Sequence, residues 1–296
     1  MEYVIENEQI RAVVESKGCE LVSVIMKADN TERIWQANPE CWKRHAPVLF
    51  PLVGKYRDNR TVYKENVYEM SQHGFARDME FTLAEQTGDS IEMKLTQTED
   101  TLKKYPFAFE LRCSYVLKEN KICVGWKVIN TDNKDMYFSI GAHPAFVYPG
   151  KNSLSGCTVQ FKAEADIETQ MDSLEYELLN EHGLVKNEKF AMKLIDSQVA
   201  VSEDFFDKDA YIFENGQCGS VALCNEGKPF VMVNFDAPVF GLWSPAGKNV
   251  PFICIEPWYG RADREDFEGT LDCREWGNAL AAGEMFKKGY EIVFLA

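Results

Sequence analysis

Positive charge is in short supply in this chain: 32 lysines and arginines stand against 47 acidic residues, a net charge of -15. Such a field repels phosphate backbones and anionic membranes, so nucleic acid is not an expected partner. No apolar run approaches the ~20 residues that cross a bilayer, so no membrane segment is expected either. The nine cysteines are odd in number and include no C-x-x-C pair. Several of them lie in apolar runs, where a free thiol packs as a small hydrophobe. The opening "MEYVIENEQIRAVV" has acids where a secretory signal needs a basic start and an apolar stretch. These absences together give the expectation of a cytoplasmic protein in a reducing compartment.

Familiar chemical signatures are missing as well. There is no G-x-x-x-x-G-K-S/T phosphate loop, no G-x-G-x-x-G turn and no G-x-S-x-G elbow. The four histidines are far apart and form no H-x-x-x-H pair, so no zinc spacing exists. The expectation is a protein without metal or cofactor. Pro/Ser-rich linkers, low-complexity tracts and clear repeats are also absent.

What is present is a period of two. Phe109, Leu111, Cys113, Tyr115 and Leu117 alternate with polar residues, and Ile122, Val124, Trp126 and Val128 resume the alternation after Glu119-Asn120. That predicts a β-hairpin, with Asn120 taking the left-handed turn position. Ile10, Ala12 and Val14, then "ELVSVIMK", "FTLAEQTGDSIEMKLTQT" and the closing "GYEIVFLA" read as further strands. Helical spacing is confined to "SLEYELLNEHG", which predicts a turn or two, and the ambiguous "REWGNALAAGE". Strands that do not alternate with helices disfavour a parallel α/β sheet. The expected fold is all-β, packed antiparallel sheets forming one large β-sandwich domain over residues 1–296.

A few polar groups sit in unusual settings. "YFSIGAHPAFVYPG" delivers His143 directly before Pro144, which predicts that a strand stops there and the chain turns away. "SQHGFARDMEF" places His73 before Gly74, with Arg77 shortly after. "PFICIEPWYGRAD" runs an apolar strand into Glu256, read as its end, where a carboxylate must meet a cleft or solvent because unpaired burial is costly. "KDAYIF" sets Asp209 before an apolar stretch, and "KRHAPVLFPLVGKYRDN" surrounds another with Arg44, His45, Lys55 and Arg57. Each has an ordinary reading too. His45 and His182 read as surface or structural residues, Glu256 as a turn cap or partner of Arg261, and Trp243 and Trp258 as core.

On "RHAPVLFPLVGKYRDN", "HGFARDMEF", "GAHPAFVYP", "DAYIF" and "IEPWYGRAD", in that order, the chain resembles the aldose 1-epimerase (galactose mutarotase-like) superfamily, in particular its LacX-like branch. The resemblance implies a large antiparallel β-supersandwich, no cofactor, and interconversion of the anomers of a free aldose. It implies Glu256 as base at the C1 hydroxyl, His143 as acid at the ring oxygen, His73 as a hydrogen-bonding partner of the reacting end, and Asp209 as acceptor for other hydroxyls. Phe75, Trp243 or Trp258 would cover the apolar face of the sugar. Galactose mutarotases usually carry an Asn-Arg motif before the first histidine. Here that region reads "VGKYRDNR", so Lys55, Arg57 or Arg60 would replace the arginine that grips the sugar. "HGFAR" also occurs in hexose-6-phosphate 1-epimerases, whose arginines bind phosphate, a task that would fall to Arg77 with Arg44 or Lys55. A non-catalytic carbohydrate-binding or sensing protein on the same sandwich is the third reading.

Overall fold

The structure is a computed structural model that describes residues 1–164 and 169–295. Its strands form two large sheets, and every pairing between named strands is antiparallel. The first sheet has nine strands. At its centre the C-terminal strand Met285–Phe294 lies between Lys228–Phe235 and Lys121–Asn130. The second sheet has eight, and its central strand, Phe252–Tyr259, is buried along its whole length. A four-stranded sheet made by the first 32 residues and two short two-stranded ribbons complete the set. Among the described residues the only α-helix is Glu99–Leu102, closed by a capping box between Thr98 and Thr101.

The predicted hairpin forms in full: Phe109–Lys118 pairs with Lys121–Asn130 from Phe109↔Asn130 to Lys118↔Lys121. Its apolar positions face inward, one residue in two, as the pleat requires. The turn differs from expectation in one detail. Glu119, at φ 53°, takes the left-handed conformation, while the Asn120 amide donates to the Phe294 carbonyl at 2.6 Å.

Aromatic side chains join the two large sheets. Trp126 meets Tyr259 edge-on at 6.4 Å, Phe161 meets Phe213 at 5.9 Å, and Phe235 meets Phe240 at 5.3 Å. Burying each such ring contributes about 1.5–3 kcal/mol, with about 0.5–1.5 kcal/mol more from ring geometry. All nine cysteines are free thiols and six are buried within this apolar interior. No helix among the described residues is long and apolar enough to cross a membrane.

One helical expectation fails and one ambiguous segment resolves as strand. "SLEYELLNEHG" forms the strand Ser173–Leu179, with a bulge between Glu177 and Leu179. Leu174, Glu177 and Leu178 are buried, so the bulge mimics the i, i+3, i+4 spacing of a helix. "REWGNALAAGE" supplies the short strand Asn278–Leu280, paired with Met136–Phe138.

Leu111, fully buried in the hairpin, should be expensive to truncate. Leu111→Ala is expected to lower unfolding free energy by about 2–5 kcal/mol in a urea titration. A loss under about 1 kcal/mol would mean that the sheets are not packed there as described.

Candidate active site

The strand Phe252–Tyr259 explains how the chemistry is assembled. On one side it pairs with Val239–Trp243, with Gly241 directly opposite Glu256. Its other neighbour comes in two pieces: Ile140 and Gly141 pair with Tyr259 and Trp258, and Ala145–Val147 pairs with Cys254, Ile253 and Phe252. Stepping one residue at a time from Gly141 opposite Trp258 places Ala142 across from Pro257, His143 across from Glu256, and Pro144 across from Ile255. The count then reaches Ala145 opposite Cys254 with no residue left over. So the chain does not turn away at His143: the strand pauses and resumes in register. Glu256 likewise stands inside its strand, not at its end. Pro144 and Pro257 have no N–H to give, which is why the ladder opens at this step. The opening lets a facing histidine and glutamate share one side of the sheet.

Their side chains meet, with His143 Nε2 at 3.3 Å from Glu256 Oε1. Glu256 is 1 % exposed and His143 8 % exposed. Burial drives both groups toward their neutral forms. It raises the Glu256 carboxyl well above the usual range, helped by the charge of Asp209 and opposed by a hydrogen bond from Trp258. It pushes the His143 imidazole down to about 3, with Arg77 and Arg44 adding to the shift against a local backbone hydrogen bond. His143 Nδ1 and Glu256 Oε2 are buried without a hydrogen-bond partner.

His73 arrives by a different route. Both His73 (φ 66°) and Gly74 (φ 72°) are left-handed, and a Cβ at Gly74 would lie 2.3 Å from the Phe50 carbonyl oxygen. Only glycine allows that approach. The resulting loop sets the His73 ring 5.7 Å from that of His143, nearly perpendicular to it. The Gly54 N–H donates to His73 Nδ1 at 3.2 Å, so the neutral ring carries its hydrogen on Nε2. Burial, then the positions of His143, Arg77 and Arg44, hold His73 well below the ordinary imidazole pKa.

Around these groups lies a cavity of about 270 Å³. His73, Arg77, His143, Asp209, Trp243, Glu256 and Trp258 all line it. Asp209, left-handed at φ 69°, accepts a hydrogen bond from Trp243 Nε1 at 2.7 Å. A Cβ at Gly241 would sit 2.6 Å from the Trp258 ring, so glycine there lets the indole lie against the sheet.

Phe75, Lys55, Arg57 and Arg60, expected at the ligand, lie elsewhere. Phe75 packs against Phe50, Tyr105 and Phe109 in the core and presents no face to the cavity. Lys55 and Arg57 line a separate depression of about 370 Å³. The cause is backbone stitching: Asp263 N–H donates to the Lys55 carbonyl and Arg57 N–H donates to Asp263 Oδ2, both at 2.9 Å. Lys55 Nζ then reaches the His182 carbonyl, and the Arg57 guanidinium the Phe267 carbonyl. Arg60 is exposed beside Asp58, His45 stands near Glu20, and Arg261 pairs with Glu214 and Glu275 rather than with Glu256.

Sequence reasoning missed Trp42 and Gln72, which also line the cavity. Trp42 stacks on the His143 ring at 4.9 Å and touches Trp243 edge-on at 5.4 Å. An aromatic side chain beside "KRHAP" in a polar segment was the available signal.

A pocket holding a facing histidine and glutamate, a second histidine and three indoles defines a β-sandwich protein equipped for proton transfer on a small polar molecule. The chain belongs to the aldose 1-epimerase family, whose description matches residues 1–269. The plasmid-encoded protein LacX of Lactococcus lactis subsp. lactis is 29% identical over 98% of each chain. A galactose mutarotase related enzyme from Lactobacillus acidophilus is 35% identical, with a TM-score of 0.91 over 100% of this chain and 98% of that one. A galactose mutarotase-like protein from Lactobacillus casei is 27% identical, with a TM-score of 0.92 over the full length of both. The galactose mutarotase-like fold expected from sequence is the fold found, and family membership supports sugar epimerase activity in general terms.

An imidazole whose folded pKa lies below its unfolded value stays neutral as pH falls through 6.5, while the unfolded chain takes the proton. The ring resonances of His73 and His143 should therefore hold neutral chemical shifts down to pH 5 in an NMR titration. A midpoint near 6.5 for either would contradict the buried arrangement.

Proposed function

We propose that the protein is an aldose 1-epimerase that interconverts the α and β anomers of a free hexose without a cofactor. The observation that carries this reading is the 3.3 Å contact between His143 and Glu256 at the base of the cavity. The two oxygens that exchange a proton in a cyclic hemiacetal are both bonded to C1. A base and an acid must therefore stand side by side, as these do.

In this mechanism Glu256 takes the proton from the C1 hydroxyl while His143 gives one to the ring oxygen. The bond from C1 to the ring oxygen breaks, and the C1–O bond becomes a carbonyl. Rotation about C1–C2 presents the other carbonyl face. Closure returns the proton from Glu256 to the new hydroxyl and takes the ring proton back onto His143. The pair begins and ends with the same single proton between its members. In the empty cavity that proton rests on the carboxyl, because burial favours the uncharged pair, and it passes to His143 Nε2 as the sugar binds, leaving Glu256 free to act as base. His73 Nε2–H supports the developing charge on the reacting oxygens, and Asp209 accepts from a hydroxyl further out. Trp42, Trp243 and Trp258 supply apolar walls for the sugar ring. The free thiols fit work in the reducing cytoplasm.

A second reading, a hexose 6-phosphate as substrate, is favoured by one observation. Arg44 and Arg77 share a single carboxylate, Asp78, and Arg77 lines the cavity with its pKa pulled down to about 10 by burial and by Arg44. Two guanidinium groups that share Asp78, with only Glu20 adding a weaker pull on Arg77, suit an anionic substituent.

Polarimetry of freshly dissolved α-glucose and α-galactose decides the main proposal. Glu256→Gln should slow protein-dependent mutarotation by about 10²–10⁴-fold. If the unaltered protein equilibrates both sugars no faster than Glu256→Gln does, the catalytic reading fails; tight sugar binding without acceleration would identify a sensor. Arg77→Ala tests the second reading: it should weaken sugar-phosphate binding more than hexose binding, with the difference shrinking in salt. Equal losses for both ligands would reject a phosphate site.

A further inference from the structure

Two residues before Glu256 on the same strand stands Cys254, so both side chains leave one face of the sheet. One ligand-capable atom each from His143, Cys254 and Glu256 lie within 4.8 Å of one another. All three residues are buried, and Glu256 Oε2 has no hydrogen-bond partner. The mechanism above uses the histidine and the glutamate but leaves the thiol idle. We propose that His143, Cys254 and Glu256 form a binding site for a divalent cation of the zinc class, which enters through the cavity and excludes the sugar.

The donor set selects the ion. Thiolate and imidazole suit zinc and cadmium, whereas magnesium and calcium require oxygen donors in larger number. The spacing is close to that of a metal centre already. Zinc–nitrogen and zinc–oxygen bonds of about 2.0–2.2 Å at a tetrahedral angle put the two donors about 3.4 Å apart. His143 Nε2 and Glu256 Oε1 are 3.3 Å apart. With a zinc–sulfur bond of about 2.3 Å, the thiol closes the set by moving no more than about 1 Å inward. Charge balances too: one thiolate and one carboxylate neutralise a divalent ion, so no net charge is buried. The thiol proton and the proton held between His143 and Glu256 leave to solvent. An ion held there occupies both groups assigned to proton transfer, so it inhibits.

Only the competition with sugar rests on the catalytic reading; the ion site itself does not. Cadmium titration followed by the ultraviolet thiolate-to-cadmium absorption band tests it on the whole protein. The expected result is saturation by one tight equivalent. Cys254→Ser should remove that band, and His143→Ala should weaken binding by more than the roughly 10–100-fold typical of losing a mere outer partner. Circular dichroism and thermal melting confirm that both variants are folded, and Cys254→Ala serves if Cys254→Ser is not. Zinc inhibition is scored in the Cys254 variant against that variant's own zinc-free rate. A band that persists unchanged in Cys254→Ser, assigning it to surface thiols such as Cys273, would overturn the proposal, as would tight binding that ignores His143→Ala. If the band behaves as expected but no mutarotation is seen, the catalytic reading falls while the ion site stands.

Discussion

The arrangement depends on one cross-strand pair. His143 and Glu256 face each other because two short strand segments pair with Phe252–Tyr259 in a single unbroken register, with two prolines at the step between them. Inserting or deleting one residue in that interval would send the histidine to the opposite face of the sheet. The pair is therefore set by sheet geometry rather than by a mobile loop. Its burial then decides its protonation, since neither partner is stable as an isolated charge at that depth.

A second set of charges braces the wall behind the cavity. Arg274, 8 % exposed, donates to Asp263 Oδ1 and to the Arg261 carbonyl, both at 2.6 Å, and its guanidinium lies 4.8 Å from the Tyr56 ring. Arg261 and Arg264 are linked through Glu214 and Glu275, and Arg264 also reaches Glu177 on the neighbouring strand. Apart from those of the half-exposed Glu275, these are buried pairs, which contribute little net stability, but removing one member leaves a charge uncompensated, at a cost of about 3–5 kcal/mol. Here they fix the course of residues 54–57 against 261–263. That places the Gly54 N–H on His73 Nδ1 and thereby sets which nitrogen of His73 faces a ligand.

Much of this was legible in the chain. Alternation from Phe109 to Val128 carries enough information to specify a hairpin, because one face of each strand is buried. His73, His143, Asp209 and Glu256 each stand beside a glycine, a proline or an abrupt change in polarity, which marked them out. What local pattern does not encode is which way a side chain points once distant backbone has been tied down. Lys55 and Arg57 were expected at the cavity, yet Asp263, some two hundred residues on, turns them away. Phe75 sits one residue past the His73–Gly74 turn and falls into the aromatic core. Proline usually ends pairing, which predicts a stop at Pro144, but here it is accommodated inside a continuing register. The helix expected around Leu174 failed because a bulge reproduces helical spacing.

The central claim is a count of hydrogen at one place: His143 and Glu256, in contact, hold a single proton between them in the empty cavity. Neutron diffraction from crystals exchanged into heavy water at neutral pH measures that count directly. The account predicts one deuteron in the contact, bonded to the Glu256 carboxyl and directed at His143 Nε2, besides the one that the neutral imidazole carries on Nδ1. Deuterons on both Nε2 and the carboxyl, none on either, or side chains standing apart with water between them would contradict it.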